Sequence, residues 1–520
     1  MIGRETPTTG QAADGNRAWL PPWPVLATVV AWLAATAWIG GLLVGRVNGV
    51  AAPVLDLAFF QQVVWNVGQH GEWTSMYHAG SFLGLHFSPV LIVPAVIERF
   101  IWQDVRVLNL IHAALVAALV PSTFLFLRSA FRPSRSAALL AAGVAIGIPV
   151  WGATQDVIRA DFHPETAGVV LALLAGWAGL SGRPRTMWIL AAVALLTRED
   201  AAYAVGVIGL VVAARGRGRA RRRGRWLAIV AIVWAILVFG VIMPAIRGGV
   251  VLNTNSYYAW LGGGLEVLNA PFTKTQRVIA ALTRPAPWFV VLGMVVSVGA
   301  LPLLRPRWAL LMLPPLIALL LSSHSWQANV LLQYPLILEV PLLAATAFGG
   351  RRALAWVARR RRRRRSRDSG PTASLRVAGA AGSRRAGMPV VAVAIVGIAV
   401  AGGWAQGLLP PFSAADPAFA RHDVAIDAMV RMAARVPVDA LLIADEGMVA
   451  TLSSRPQVIR MAGFPSPPRS AYVLADRQAW PPSGLTADRH ATIVAGLMAG
   501  SRPIIADDGR FVLWGPEPGG

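Results

Sequence analysis

The chain has 520 residues, 55% of them hydrophobic and 14% charged, whereas a soluble domain carries roughly 25% charged residues. With a mean hydropathy of +0.55, it cannot keep a water-facing surface along most of its length, so lipid must be its solvent. The formal charge of +23 is almost wholly arginine, in runs between apolar stretches such as 215–225 and 359–365. That is the mark of cytoplasmic loops, and it excludes the mixed basic and aromatic surface of a nucleic-acid binder. There is no cysteine, so disulfide and thiolate chemistry are excluded.

A helix needs about 20 apolar residues to cross the hydrocarbon core. Taken in chain order, a polar cytoplasmic tail (1–23) precedes a first span over 24–43, read as retained rather than cleaved. Residues 46–106 form a long outer loop, with an amphipathic stretch at 53–68 and a short apolar stretch at 86–100 that is interfacial or re-entrant. Further spans are expected at 107–127, 136–151, 166–180, 187–197, 201–214, 226–246, 287–304, 308–321, 335–348 and 389–409. An Arg-rich cytoplasmic loop, 349–388, precedes the last of these. The expectation is thus an all-α polytopic membrane protein of about eleven spans over 24–409, with the N-terminus inside and the C-terminus outside. The tail, 410–520, reads as a small extracytoplasmic α/β domain, with an amphipathic helix over His422–Ala434 and buried strands at Ala440–Ala444 and Ala471–Ala475.

Ionisable groups near membrane helices are costly and are functional candidates by default. The topology collects Asp56, Glu72, His78, His86, Asp156, Asp161, His163, Glu165, Arg198, Glu199, Asp200, His324 and Tyr334 on the outer side. Asp56, just past the first span, suits either a helix cap or a general base. In Asp161-Phe-His-Pro-Glu165, capping accounts for Asp161 but not for His163 beside Glu165. Carboxylate and imidazole together suit a proton relay or a divalent cation such as Mg or Mn, with Asp161, His163 and Glu165 as candidate ligands. In Thr197-Arg198-Glu199-Asp200 the charges either pair with one another or present Arg198 to a phosphate. Nucleotide-binding loops and the motifs of intramembrane proteases are missing from the sequence.

Asp56-Leu-Ala-Phe-Phe-Gln-Gln, His86-Phe-Ser-Pro, Asp161-Phe-His-Pro-Glu and Thr197-Arg-Glu-Asp follow in the order found in the bacterial membrane family called domain of unknown function 2079. The resemblance runs from about Ala51 into the tail, where Ala444-Asp-Glu-Gly through Arg455 is also similar. That family in turn resembles the GT-C class of membrane glycosyltransferases, in which an acidic residue follows the first span in a long outer loop with juxtamembrane helices. The resemblance implies that Asp56 is the catalytic carboxylate and that His86, Asp161, His163 and Glu165 line its cavity. It further implies a polyprenyl-phosphate-linked sugar as donor and a glycan, lipid or protein as acceptor, at the outer face of the bacterial plasma membrane. The first loop departs from the class pattern, with no Asp-Asp or Asp-x-Asp pair. Arg198, Glu199 and Tyr334 complete the expected substrate site. A transporter or flippase is the rival, predicting internal repeats and charges near the midplane; a non-catalytic scaffold is a third reading.

Overall fold

The computed structural model describes residues 23–51, 55–131, 133–248, 255–262, 266–368, 397, 425–464, 466–478 and 486–518. The chain is mostly helical with one small sheet near its C-terminal end. Helix α1 (Trp23–Asn48) leaves Leu26, Val30 and Leu33 exposed and buries Ile39 and Leu43. Apolar residues facing outward are what lipid selects and water rejects. The outer loop folds as α2 (Leu55–His70), the single turn α3 (Phe82–Leu85) and α4 (Ile92–Phe100). Next come α5 (Arg106–Ala130), α6 (Arg135–Gly147), α7 (Gly152–Arg159), α8 (Glu165–Leu180), α9 (Pro184–Leu195), α10 (Ala201–Arg215), α11 (Arg219–Leu237) and α12 (Met243–Arg247). The second half is more broken. It comprises α13 (Asn255–Tyr258), α14 (Glu266–Thr273), α15 (Thr275–Leu282), α16 (Pro285–Ser297), α17 (Pro306–Ala309), α18 (Leu313–Leu320), α19 (Ser325–Ala328) and the long α20 (Leu336–Asp368).

Among the described residues three helices are long and apolar enough to cross a membrane, Trp23–Asn48, Arg106–Ala130 and Arg219–Arg247, or five if two bent pairs each count as one span. About eleven were expected. The segments expected at 166–180, 187–197, 201–214 and 308–321 are apolar helices of 10–17 residues, shorter than a straight crossing requires. They are bounded by polar or proline-bearing breaks such as Arg198-Glu199-Asp200 and Arg305-Pro306. The span expected at 389–409 lies outside the described residues apart from Gly397.

Small residues set the packing where helices meet most closely. A Cβ on Gly224 would lie 2.3 Å from the Ala213 amide nitrogen, and one on Gly209 would lie 2.6 Å from that of Ala228. Helices α10 and α11 therefore touch backbone to backbone, as lipid-embedded helices do when dispersion replaces the hydrophobic effect.

In the tail, helices α21 (Ile426–Ala433), α22 (Glu446–Leu452) and α23 (Ala487–Ala499) pack on five strands: β1 (Leu442–Ala444), β2 (Val458–Arg460), β3 (Tyr472–Asp476), β4 (Ile504–Asp507) and β5 (Phe511–Trp514). The order is β2-β1-β3-β5-β4, with β1 parallel to both β2 and β3 and β5 antiparallel to β3 and β4. The short apolar runs Leu442-Ile-Ala and Tyr472-Val-Leu-Ala form the centre of the sheet, buried as expected of strands covered on both faces.

This tail is seated on the start of the membrane domain. Gly447 approaches so closely that a Cβ there would lie 2.2 Å from the Val50 carbonyl oxygen. Gln61 Nε2 donates to Ser454 Oγ at 3.0 Å and to Glu98 Oε2 at 2.9 Å, while Gln62 Nε2 donates to the Arg455 carbonyl at 3.2 Å. Leu57, Phe60 and Val64 of α2 share one apolar cluster with Met429, Met448 and Leu452. The helix that begins with Asp56 is thereby clamped between the membrane helices and the tail.

Candidate active site

Asp56 lies in the first turn of α2, where the positive end of the helix dipole favours a carboxylate. Its side chain is 40% exposed, yet protein surrounds it on every side. Burial pushes the carboxyl up, but the hydrogen bond and charge of His163 and the charges of His86 and Arg198 outweigh it, leaving Asp56 below the usual carboxylate range.

The Asp161-Phe-His-Pro-Glu165 segment turns the chain between α7 and α8. Asp161 adopts φ +61°, which costs a non-glycine residue on the order of 1 kcal/mol and is tolerated by aspartate better than by most. The turn is held by a buried ion pair: Arg46 Nη1 lies 3.0 Å from Asp161 Oδ1 and Nη2 lies 3.4 Å from Oδ2, with both side chains 1% exposed. The same turn orients His163, whose Nδ1 is 3.2 Å from the Asp161 carbonyl oxygen. A carbonyl only accepts, so Nδ1 carries the hydrogen. His163 Nε2 then faces Asp56 Oδ2 at 3.4 Å. The edge of the Phe60 ring fixes the imidazole from the side.

Arg198 is the second centre. Its guanidinium contacts Glu165, and its Nε lies 3.4 Å from Glu199 Oε1 and 3.8 Å from Asp200 Oδ2. Glu199 also engages His86 Nδ1 at 2.9 Å and accepts the Phe87 amide at 2.9 Å. A guanidinium has five N–H donors, and those of Arg198 beyond Nη1 and Nε make no hydrogen bond among the described residues. Tyr334 lies within electrostatic reach of both Arg198 and Asp56.

Asp56, His86, His163, Glu165, Arg198, Glu199, Asp200, His324 and Tyr334 are thus brought together, and His78 lies near His86. Two expected members stand apart. Glu72 is exposed beyond the far end of α2, and the charge acting on Asp156 is that of Arg159. The expected cation site does not assemble: Asp161 turns to Arg46, Glu165 to Arg198 and His163 to Asp56. No group of three or more such side chains is placed to hold a metal ion among the described residues.

Two residues escaped the sequence reading. Arg46 ends an apolar helix and is buried, a cost that itself signals a partner. Tyr257, in the short helix α13, is the other, and the charge of Asp56 reaches it.

Among solved structures, the chain is similar to the apo form of ArnT from Cupriavidus metallidurans, at 16% identity over 95% of this chain and 97% of that one, with a TM-score of 0.43. It is similar to the arabinofuranosyltransferase AftD from Mycobacteria at 13% identity over 96% of this chain and 40% of that one, with a TM-score of 0.48. The archaeal oligosaccharyltransferase AglB from Archaeoglobus fulgidus matches at 12% identity over 87% and 69% of the two chains, with a TM-score of 0.45. Likeness at this level says nothing of reaction or substrate. No curated protein matches the sequence. The family model described as Predicted membrane protein (DUF2079) matches residues 51–367, well over half the chain, and the chain belongs to that family.

Proposed function

We propose that the chain is a membrane glycosyltransferase that moves a sugar from a polyprenyl-phosphate donor to an envelope acceptor at the outer face. The observation that supports this most is the Asp56–His163 pair, 3.4 Å apart, with Arg198 close enough for its charge to act on Asp56. The order of the motifs around Asp56, His86, His163 and Arg198 supports the same reading.

In the proposed step an acceptor hydroxyl oxygen attacks the anomeric carbon. Its proton passes to Asp56, and the bond from that carbon to the phosphate oxygen breaks, leaving the electron pair on the departing polyprenyl phosphate. His163, fixed by the Asp161 carbonyl, holds the Asp56 carboxylate in place and is the next stop for the proton. Arg198 keeps Glu165 and Glu199 in position; Asp200, its longest contact, is the one a donor phosphate would replace. General-base assistance is worth about 10²- to 10⁴-fold and a preorganised charge on the leaving oxygens about as much.

The rival is transport of a lipid-linked or polar substrate. Helix pairs bent by 42° at residues 150–152 and by 40° at 282–285 favour it, because transporter sites are built from broken helices. The two readings differ in whether a bond is cut. Purified protein in lipid nanodiscs is supplied with polyprenyl-phosphate sugars and a mixture of envelope acceptors, and free polyprenyl phosphate is measured. Release that depends on both protein and acceptor is expected. Movement of intact donor across a vesicle bilayer without release would overturn the transferase.

A further inference from the structure

The wall facing Asp56 is built from two loops that the reaction as written leaves unused. Tyr257 comes from α13, His324 from the turn before α19 and Tyr334 from the turn before α20. The Tyr257 and His324 rings are 4.6 Å apart between centroids and tilted by 32°, and the His324 and Tyr334 rings are 6.3 Å apart at 60°. The charge of Asp56 acts on all three, so the rings and the carboxylate lie close together. The loops are tied to each other. Ser323 N donates to the Tyr257 carbonyl at 2.8 Å, Gln327 Nε2 donates to Tyr258 Oη at 2.8 Å, and Ser322 Oγ donates to Gln327 Oε1 at 3.0 Å.

Full burial of an aromatic side chain removes about 150–250 Å² from water. These three stay half-buried. A pyranose or furanose ring has one face of C–H bonds carrying partial positive charge from the neighbouring oxygens. That face rests on the negative face of an aromatic ring, while the hydroxyl edge is left for the carboxylates.

Charge narrows the choice of sugar. Asp56, Glu165, Glu199 and Asp200 face a single guanidinium, Arg198, and two imidazoles, His86 and His163; Asp161 is neutralised by Arg46. With these imidazoles and that of His324 neutral, four carboxylates face one guanidinium. A sugar with its own carboxylate would add a like charge, and at about 6 Å and an effective dielectric of about 20 the repulsion would lower its binding roughly 100-fold.

We propose that Tyr257, His324 and Tyr334 form the platform on which the ring of the transferred sugar stacks, at a site restricted by its excess of carboxylates to neutral or amino sugars. This rests on the transferase reading above. The test is kinetic, in nanodiscs, with polyprenyl-phosphate donors carrying a hexose, an aminohexose or a hexuronic acid. For the wild type, kcat/KM for the uronic acid should be at least tenfold below the other two. Tyr257→Ala should raise KM about tenfold with little change in kcat, and Tyr257→Phe should restore it. Tyr334→Leu serves as a second truncation should the Tyr257→Ala protein fail to elute as a folded species. A preferred uronic acid, or unchanged KM in both truncated proteins while the wild type is active, overturns the platform. A wild type that splits none of the donors instead overturns the transferase reading, and the platform falls with it.

Discussion

Replacing Arg46 by Met would leave the Asp161 carboxylate buried, 1% exposed, without its cation. At 3.0 Å and an effective dielectric of about 20, the lost attraction is about 5 kcal/mol. Breaking a buried pair from one side typically costs about 3–5 kcal/mol, because the remaining charge has no water to return to. Asp161→Asn removes that charge and keeps a residue that tolerates the φ of +61°. The double variant Arg46→Met/Asp161→Asn should therefore regain most of the loss, even though it has lost both charges. The assay is equilibrium unfolding in mixed micelles, followed by tryptophan fluorescence for the wild type, both single variants and the double variant. The reasoning is refuted if Arg46→Met loses less than about 1 kcal/mol, or if the double variant is no more stable than Arg46→Met alone.

Three further outcomes are expected. Gly447→Val would drive a side chain into the Val50 carbonyl, whose oxygen lies 2.2 Å from the Cβ position, so the tail should be released from α2; protease cleavage after residue 410 should speed up at least tenfold, with membrane insertion unchanged. Gly224→Leu would force α10 and α11 apart, where the Cβ position lies 2.3 Å from the Ala213 nitrogen, and should lower thermal stability more than Gly240→Leu, where nothing lies within 4 Å. In the tail, the hydrogen bond to Asp445 raises the His490 imidazole above its ordinary value, while burial raises Asp445, partly offset by His490. The His490 contribution is fully present below about pH 6.5 and is lost as pH rises through its raised value, whereas the Asp445 contribution, also from an upward shift, is lost starting near the ordinary carboxylate value of about 4. Melting of the full chain followed through Trp514 should accordingly fall between pH 6 and pH 8, and His490→Gln should flatten that slope.

How far the sequence announced this structure depended on the range of the interactions. Helices α1, α5, α8 and α10 begin and end within a few residues of the expected spans, because a run of apolar residues and its flanking arginines are local facts. Strands β1 and β3 were legible for the same reason, as short apolar runs between turns. Helices α8, α9 and α10, expected as spans, are shorter than a straight crossing requires, and only their packing shows how the polar breaks between them are accommodated. At the site, the gathering of Asp56, His163, Arg198 and Tyr334 followed from placing loop ends on one side. The partners did not. Arg46 and Asp161 are 115 residues apart, and Gln61 and Ser454 are 393 apart. No periodicity encodes such pairs. Loop spacing also says nothing about direction, and Asp161, His163 and Glu165, adjacent in sequence, turn to three different neighbours.

The claim on which the account stands is that Asp56 removes the acceptor's proton. Asp56→Asn preserves size and keeps an acceptor toward His163 while removing the base. The most direct measurement is single-turnover release of polyprenyl phosphate by wild type and Asp56→Asn in nanodiscs, with matched unfolding curves to show that both are folded. Release slowed by about 10²-fold or more in a normally folded variant is the predicted result. Equal rates in the two proteins would take Asp56 out of the chemistry and contradict the account.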